Sequence, residues 1–237
     1  MIVYDAHAHA GDNTECEIRQ RLGVKTLLSC SGKQEAAQGA RLCSQTPVFS
    51  MTAGVHPWDA DTVSLADMLP YMERCSLIGE IGLDSVWSPV PLAVQRRVFC
   101  AQLDFACANG KGIVLHTKGC EAEIVRMIEG FPHPILVHWY SGGQDVLQRF
   151  LVQGCYMSIG PDVAVNPFVQ TAARLVPDNR ILFETDGLDA VRWALGELSA
   201  QALPHVLACS VRAAAALRGQ APQKLAEYAN GNFLRLF

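Results

Sequence analysis

The histidines of this chain are the residues best suited to chemistry, and most of them follow short apolar runs. His7 and His9 stand two residues apart, shortly after the apolar pair Ile2-Val3. If this segment is a β-strand, both imidazoles point to the same side of it. Two imidazoles on one strand face can bind a divalent metal ion. Two ligands do not complete such a site, so other segments must supply the rest.

Further polar residues follow other apolar runs along the chain. Taken alone, His116 is expected to be a hydrogen-bonded residue of the core or of the barrel rim, and Glu80 or Asp186 could cap a helix. Together, the buried histidines and carboxylates would each need a partner in a core of Val, Ile and Leu, and a shared metal centre supplies one to all of them. The candidate residues are His7, His9, His56, Glu80, His116, His138 and Asp186.

These residues need elements that bring distant segments together. Eight short apolar runs have strand character, and helix-length segments separate them. Such a pattern predicts an α/β fold, a (β/α)8 TIM barrel with catalytic groups at the carboxyl ends of its strands. An open doubly wound sheet is the alternative, because periodicity cannot show closure. The predicted strands are Ile2–His9, Val24–Cys30, Val48–His56, Leu77–Asp84, Gly112–Lys118, Ile135–Tyr140, Cys155–Ile159 and Ile181–Asp186.

Helical patterns fill the intervals between these runs. The tail from about Ala190 has only helical patterns, which we expect to pack outside the barrel, with Pro222 opening the last helix. No repeat or linker interrupts residues 1–237, so we predict a single domain with additional C-terminal helices. The predicted helices are Glu15–Leu22, Gln34–Cys43, Leu65–Cys75, Leu92–Asn109, Glu121–Ile128, Gln144–Gln153, Phe168–Leu175, Val211–Leu217 and Pro222–Phe233.

Composition limits the class of protein. Half of the 237 residues are hydrophobic and 18% are charged, which suits one large buried core. There is no bilayer-length apolar run and no signal pattern, so we expect a cytoplasmic protein without membrane contact. We also expect a monomer. The nine cysteines are scattered without a C-x-x-C pair, which favours free thiols. The net charge of −4 provides no global field for a polyanion, so nucleic acid would have to be held locally.

The ordered set of motifs resembles the TatD family of metal-dependent hydrolases, within the wider amidohydrolase-like barrels. Each motif is weak alone, but their order from residue 5 to residue 186 is specific and covers most of the chain. The matching stretches are Asp5-Ala-His-Ala-His9, Gly54-Val-His-Pro57, Gly79-Glu-Ile-Gly-Leu-Asp84, Gln95-Arg-Arg-Val-Phe99, Leu115-His116, His138-Trp-Tyr-Ser-Gly142 and Glu184-Thr-Asp186.

The resemblance implies a site for two divalent metal ions. Nitrogen and oxygen ligands suit Zn²⁺, Mn²⁺, Fe²⁺ or Mg²⁺ without deciding among them, although imidazoles lean away from Mg²⁺. Two such ions side by side lower the pKa of a shared water and neutralise developing charge. The implied ligands are His7, His9 and Asp186 for the first ion, His116 and His138 for the second, and Glu80 as the bridge.

Catalytic roles follow from the same resemblance. Asp186 would also accept the proton of the attacking water as general base. His56 would face the substrate and donate a hydrogen bond to a phosphate or product oxygen. Asp5 shares the side-chain parity of the first two histidines, so it either orients one of them or is a polar residue of the barrel bottom.

Two departures from the family pattern concern the substrate rather than the ligands. Lys118 stands where the family usually has Arg, which keeps the positive charge but loses the two-pronged contact with phosphate. After Asp186 the family typically has a small residue, Pro and an aromatic, whereas this chain has Gly187-Leu-Asp-Ala190. We therefore expect an intact catalytic centre with an altered substrate pocket.

Three functions fit these observations. The first is a phosphodiesterase of the exonuclease kind acting on single-stranded DNA or another phosphodiester. The second is an amidohydrolase acting on a small C–N or C–O bonded substrate, which the acidic balance favours. The third, a metal-binding interaction module, has no need of a general base. For the first, His56, Lys118 and Tyr140 are the predicted substrate contacts, with Trp58 and Trp87 able to stack on unpaired bases.

Overall fold

The strands are short segments covered on both faces, since helices pack outside them and side chains fill the barrel inside. The computed structural model describes residues 1–237 and arranges eight parallel strands in sequential order in one sheet. The strands are β1 (Asp5–His9), β2 (Thr26–Cys30), β3 (Phe49–Ala53), β4 (Leu77–Gly82), β5 (Gly112–His116), β6 (Ile135–Val137), β7 (Tyr156–Ile159) and β8 (Ile181–Phe183).

The helices begin and end at recognisable residues. The first begins where the Asp12 side chain accepts a hydrogen bond from Glu15 N at 3.0 Å, and it ends at Gly23, which has a φ of 64°. No helix combines the length and apolar character that crossing a membrane requires. The helices are α1 (Asn13–Leu22), α2 (Lys33–Gln45), α3 (Leu65–Met72), α4 (Leu92–Ala108), α5 (Glu121–Met127), α6 (Gln144–Val152), α7 (Pro167–Leu175), α8 (Leu188–Leu195), α9 (Leu203–Arg218) and α10 (Pro222–Leu236).

The barrel closes where β8 meets β1. Asp186 N donates a hydrogen bond to the His7 carbonyl oxygen at 2.9 Å, and Thr185 N donates to Asp5 Oδ1 at 2.9 Å. Arg19 of α1 donates to the same Asp5 carboxylate and, at 3.1 Å, to Thr185 Oγ1. The Asp5 carboxylate has Arg19 and Thr185 as its partners and no hydrogen bond to a histidine, which favours the interpretation as a polar residue of the barrel bottom over one that orients His7 or His9.

The amino-terminal end of the barrel is closed by α10. Phe233 and Leu236 pack against inward-facing residues at this end of several strands, and Phe233 also meets Tyr4 edge to face at 5.4 Å. The buried Asn232 side chain donates to the carbonyl oxygens of Asp178 and Ile181, both at 2.8 Å. This helix therefore seals the end opposite to the one that carries the histidines.

The predicted (β/α)8 TIM barrel with additional C-terminal helices is confirmed. All eight predicted strands form, but β3, β5 and β6 end before His56, Lys118 and Tyr140, which lie in the loops that follow. The predicted start of a helix at Val211 is wrong, since α9 begins at Leu203. Pro204 lies in the first turn of α9, where a backbone N–H would have no partner within the helix, so its missing N–H costs no hydrogen bond.

Candidate metal centre and active site

The carboxylate of Glu80, at the end of β4, lies at the centre of the site. Its Oε1 is 2.8 Å from His116 Nδ1 and 2.7 Å from His138 Nε2. Its Oε2 is 3.2 Å from His7 Nε2 and 3.9 Å from His9 Nε2. Each oxygen therefore faces one of two histidine pairs, which come from opposite sides of the barrel.

Asp186 completes the half of the site formed by β1. Its Oδ1 lies 3.4 Å from His7 Nε2 and 3.7 Å from His9 Nε2. Its φ of 62° is in the left-handed region, which Asp tolerates better than most residues. Because its backbone N–H bonds to the His7 carbonyl, this unusual conformation is fixed by barrel closure.

Three further carboxylates lie behind the histidines. His9 Nδ1 is 2.9 Å from Glu35 Oε1, and His116 Nε2 is 2.9 Å from Asp84 Oδ2. His138 Nδ1 is 3.3 Å from Glu184 Oε1. A carboxylate on the far ring nitrogen fixes the orientation of an imidazole and raises its basicity, as is usual for histidines that bind metals.

The buried charges shift one another's pKa values strongly. Burial opposes protonation of His7, but the nearby Glu80 and Asp186 carboxylates outweigh it and raise the pKa of His7 to about 10. Burial likewise opposes protonation of His138, yet Glu80 and Glu184 raise its pKa well above the usual value. Burial alone would raise the pKa of Glu80, and the surrounding imidazoles instead hold it well below its usual range.

His56 differs from the other histidines of the site. Its Nδ1 accepts a hydrogen bond from Trp58 N at 3.2 Å, so in the neutral ring the hydrogen is on Nε2. Nε2 lies 3.5 Å from Glu80 Oε1. Burial lowers the pKa of His56, because it outweighs the opposing influence of Glu80. The structure thus places at the edge of the site a neutral imidazole whose N–H is directed inward.

Two predicted substrate contacts have different outcomes. Lys118 lies at the mouth of the barrel, where its Nζ donates to Ser141 Oγ at 3.1 Å and stands 4.7 Å from the Trp87 ring centroid. Tyr140 is buried, packs against Phe150, and donates its hydroxyl to the Gly143 carbonyl at 2.7 Å. The structure does not support a substrate contact by Tyr140, whose hydroxyl already has a partner in the core.

The donor atoms fit divalent metal ions. Both ring nitrogens of His7, and Oδ1 of Asp186, are buried without a hydrogen-bond partner. Unpaired buried polar atoms are rare and costly, and a metal ion between His7 Nε2 and Asp186 Oδ1, which are 3.4 Å apart, would satisfy those two atoms. Three overlapping groups of side chains have donor atoms close enough to share an ion: His7 with His9 and Glu80, His56 with Glu80 and His116, and His7 with His138 and Glu184.

Sequence reasoning missed the supporting carboxylates for different reasons. Asp84 and Glu184 each lie within a recognised motif, four residues after Glu80 and two before Asp186, so that spacing could have indicated them. Glu35 lies in the first turn of α2 and reaches His9 from another element. No spacing within the sequence relates Glu35 to β1.

The fold and the site define a class of protein. It consists of (β/α)8 barrels with a cluster of histidines and carboxylates, of the kind that binds metal ions, at the carboxyl ends of the strands. The model of the TatD related DNase family matches residues 4–237. The chain therefore belongs to this family, and the predicted TatD-type metal-dependent hydrolase is confirmed.

Relatives and solved structures agree with this assignment. The 3'-5' ssDNA/RNA exonuclease TatD of Dickeya dadantii is 29% identical over 230 residues, covering 89% of this chain and 85% of the relative. An uncharacterized metal-dependent hydrolase TatD of Mycobacterium tuberculosis is 25% identical over 232 residues, covering 91% and 86%. The crystal structure of YJJV, a TatD homologue from Escherichia coli, shares the fold with a TM-score of 0.85, 18% identity, and coverage of 99% and 97%.

Proposed function

We propose that this protein is a metal-dependent phosphodiesterase that removes nucleotides from an end of single-stranded DNA. The observation that carries the proposal is the central Glu80 carboxylate, whose two oxygens face two separate histidine pairs. That arrangement suits two neighbouring ions, the usual equipment for in-line displacement at phosphorus. Relatives over most of the chain are named as exonucleases of single-stranded DNA and RNA, which supports the same substrate class.

The residues that would hold the ions follow from the contacts of Glu80 and Asp186. Bound divalent ions would supply an acidified water and neutralise charge on the phosphoryl oxygens. Nitrogen and oxygen donors are compatible with Zn²⁺, Mn²⁺, Fe²⁺ or Mg²⁺. We assign His7, His9 and Asp186 to one ion, His116 and His138 to the other, and Glu80 to both.

Asp186 is suited to take up the proton of the attacking water. Burial would raise the pKa of Asp186, but the nearby His7 imidazole, whose Nε2 lies 3.4 Å from Asp186 Oδ1, outweighs burial and lowers it. The side chain is therefore ionised at neutral pH, and its Oδ1 has no hydrogen bond within the protein. A carboxylate with an unoccupied lone pair beside the reacting centre can accept a proton there.

His56 and Lys118 are suited to the phosphate. The Nε2–H of His56 is directed into the site, where it can donate to an oxygen that gains charge during the reaction. Lys118 contributes a positive charge at the mouth of an otherwise acidic protein. Both side chains would orient a phosphodiester by contacting it directly.

The test is a strand-shortening assay on a metal-loaded preparation. Single-stranded oligonucleotides carrying a label at either end are incubated with the protein and Mn²⁺, Mg²⁺ or Zn²⁺. We expect progressive shortening from one end. In Glu80→Gln the rate of shortening should fall at least about 1000-fold, because catalytic groups that act as a unit lose most of their activity when one member is removed. The matched control is Glu129→Gln, because Glu129 is an exposed carboxylate on the outside of the barrel.

Other results would contradict specific parts of the proposal. Full activity in Glu80→Gln would rule out the bridging role. Undiminished activity after the metal has been removed with a chelator would rule out the metal centre. Elemental analysis of the metal-loaded samples should find about two ions per chain. Hydrolysis of small amides with no action on any oligonucleotide would identify an amidohydrolase instead.

We also propose that the protein is a cytoplasmic monomer. All nine cysteines are free, and five of them are buried, which suits a reducing compartment. Burial raises the pKa of thiols such as Cys75 and Cys43 to about 11, so they are poor nucleophiles at neutral pH. Light scattering during size-exclusion chromatography tests the monomer, and a mass near twice 25.8 kDa would exclude it.

A further inference from the structure

All four tryptophans of the chain lie in one arc at the mouth of the barrel. Trp58 meets Trp87 at a ring-centroid distance of 6.4 Å, and Trp87 meets Trp193 at 5.8 Å. Trp193 then meets Trp139 at 6.2 Å. Neighbouring rings are nearly perpendicular in each pair. We call this set the tryptophan arc, and it brings together residues from four different loops or helices.

The two ends of the arc are fixed to the active-site region. Trp58 Nε1 donates to Asp84 Oδ2 at 2.6 Å, and the same oxygen lies 2.9 Å from His116 Nε2. Trp139 directly follows His138, and its Nε1 donates to Asp162 Oδ1 at 2.8 Å. Trp139 also has a φ of 34°, an uncommon conformation for a bulky residue that the surrounding structure must hold.

The middle of the arc is open to solvent. Trp193 is 70% exposed and Trp87 is 48% exposed, although indoles are ordinarily more buried than this. Trp58 is 44% exposed as well, but its indole N–H and that of Trp139 donate to carboxylates, whereas the indole N–H groups of Trp87 and Trp193 have no partner in the protein. Exposed aromatic residues grouped beside a candidate active site are typical of a binding surface.

We propose that the middle of the tryptophan arc stacks on unpaired bases of the nucleic-acid strand that enters the active site. This inference rests on the proposed function and identifies the part of the protein that selects single-stranded over double-stranded nucleic acid. Every base has a flat face that stacks on an indole, so such contacts tolerate any sequence, while bases inside a duplex are not available to them.

Continuity and charge both favour this occupant. The arc begins at Trp58, whose ring lies 5.2 Å from that of His56, so a strand bound to the arc leads directly to the site. Lys118 holds its ammonium over the Trp87 ring at 4.7 Å and can pair with a phosphate between stacked bases. Two other cations lie beside carboxylates: Lys33 is 4.0 Å from Asp67, and Arg192 is 3.4 Å from Asp189.

Trp193 also explains what the altered segment after Asp186 contributes. That segment leads into α8, and α8 carries Trp193 to its place between Trp87 and Trp139. The segment after Asp186 therefore leads to an aromatic side chain on the substrate side of the site.

The experiment measures binding of a fluorescein-labelled phosphorothioate dT12 to the metal-loaded protein by anisotropy. We expect Trp193→Ala to raise Kd about tenfold, as the loss of one base–indole stack does, and Trp193→Phe to stay within about threefold. An abasic strand with the same backbone should bind both variants alike. Phe168→Ala is the matched control, since Phe168 is an exposed aromatic residue of α7 outside the arc.

Unchanged dT12 binding in both Trp193→Ala and Trp87→Ala would overturn the inference, as would an equal loss for the abasic strand. Self-association that Trp193→Ala abolishes, with dT12 binding intact, would assign the arc to a contact between copies and also overturn it. Failure of the proposed function is distinguishable, because it appears as intact labelled strands in the shortening assay while Trp-dependent binding persists.

Discussion

Among the residues of the site, His56 differs from the proposed metal ligands by one hydrogen bond, which suits the substrate-facing role proposed for it. Its Nδ1 is occupied by the Trp58 backbone N–H, and no carboxylate supports it from behind. The other histidines of the two pairs have raised pKa values, whereas burial lowers that of His56. Its neighbours therefore favour a neutral donor at this position.

This difference predicts that replacing His56 lowers catalytic activity without lowering the amount of bound metal. His56→Ala should lower kcat about 100-fold, because it removes one donor to an oxygen that gains charge, and should leave the bound metal near the wild-type amount. Activity assays paired with elemental analysis make the measurement, with exposed His205→Ala as the control. A parallel loss of metal would show that His56 is a ligand.

The raised pKa of His7 predicts how the metal-free protein responds to pH. The pKa is about 10 when folded and 6.5 for an unperturbed imidazole, so protonated His7 beside Glu80 and Asp186 stabilises the fold fully below about pH 6.5. That stabilisation is lost as the pH rises towards about 10. Thermal unfolding of chelator-treated protein should therefore give a falling Tm over this range.

The metal-loaded protein provides the comparison. Ligands must be deprotonated to bind an ion, so its Tm should not show the same dependence and metal affinity should weaken as the pH falls. Metal-free His7→Gln should have a flatter profile than the wild type. A Tm that rises from pH 7 to pH 9 in the metal-free wild type would contradict the assigned charge pairing.

At the scale of elements, α4 holds the ends of β3 and β4, which lead to His56 and carry Glu80, through buried glutamines. Gln102 accepts from Val55 N at 2.7 Å and donates to the Val55 carbonyl at 3.0 Å, just after β3. Gln95 accepts from Asp84 N at 2.8 Å and donates to the Asp84 carbonyl at 3.0 Å, just after β4. Each amide completes the backbone hydrogen bonding of a loop that has left the sheet.

Removing one of these amides should destabilise the barrel. Gln102→Leu leaves the Val55 N–H and carbonyl buried without partners, and we expect a loss of about 2 kcal/mol or more in the free energy of unfolding. Urea titration measures it. Arg97→Ala, an exposed change on the same helix, should alter stability by no more than about 0.5 kcal/mol. Equal stability of the two variants would refute the role given to Gln102.

The elements also show why part of the site could be predicted. The two-residue spacing of His7 and His9 placed both rings on one side of a strand, and both indeed face Glu80. Tyr140 was predicted to end a strand and contact substrate, but β6 ends at Val137 and Tyr140 is buried in the loop that follows, after the positive φ of Trp139. Strand parity holds only while the strand continues.

Contacts between elements were beyond reach of the sequence. Trp193 lies in a helical pattern with nothing to relate it to Trp87, and Glu35 reaches His9 from α2. Each pairing depends on how helices are placed around the barrel. Periodicity predicted the number of strands and their order, whereas side-chain neighbours across elements required the three-dimensional structure.

At the scale of the whole molecule, α10 makes the barrel a closed unit. Phe233→Ala should destabilise the protein by about 3–5 kcal/mol, since it opens a cavity where the helix meets the inward-facing residues of the strands. Leu234→Ala is the matched control, because the neighbouring Leu234 is 54% exposed. Equilibrium unfolding in urea compares them, and similar losses would show that α10 does not seal the barrel.

The junction between β1 and β8 determines when the site can form. Thr185 and Asp5, which bond across it, are 180 residues apart in sequence, and His7 meets Asp186 at the same junction. During synthesis on the ribosome, the segments that carry Glu80, His116 and His138 emerge well before the strand that brings Asp186. Long-range contacts of this kind form late in folding. The residues of one half of the proposed centre can thus come together early, but the pairing of His7 with Asp186 requires a barrel whose last strand has joined the first.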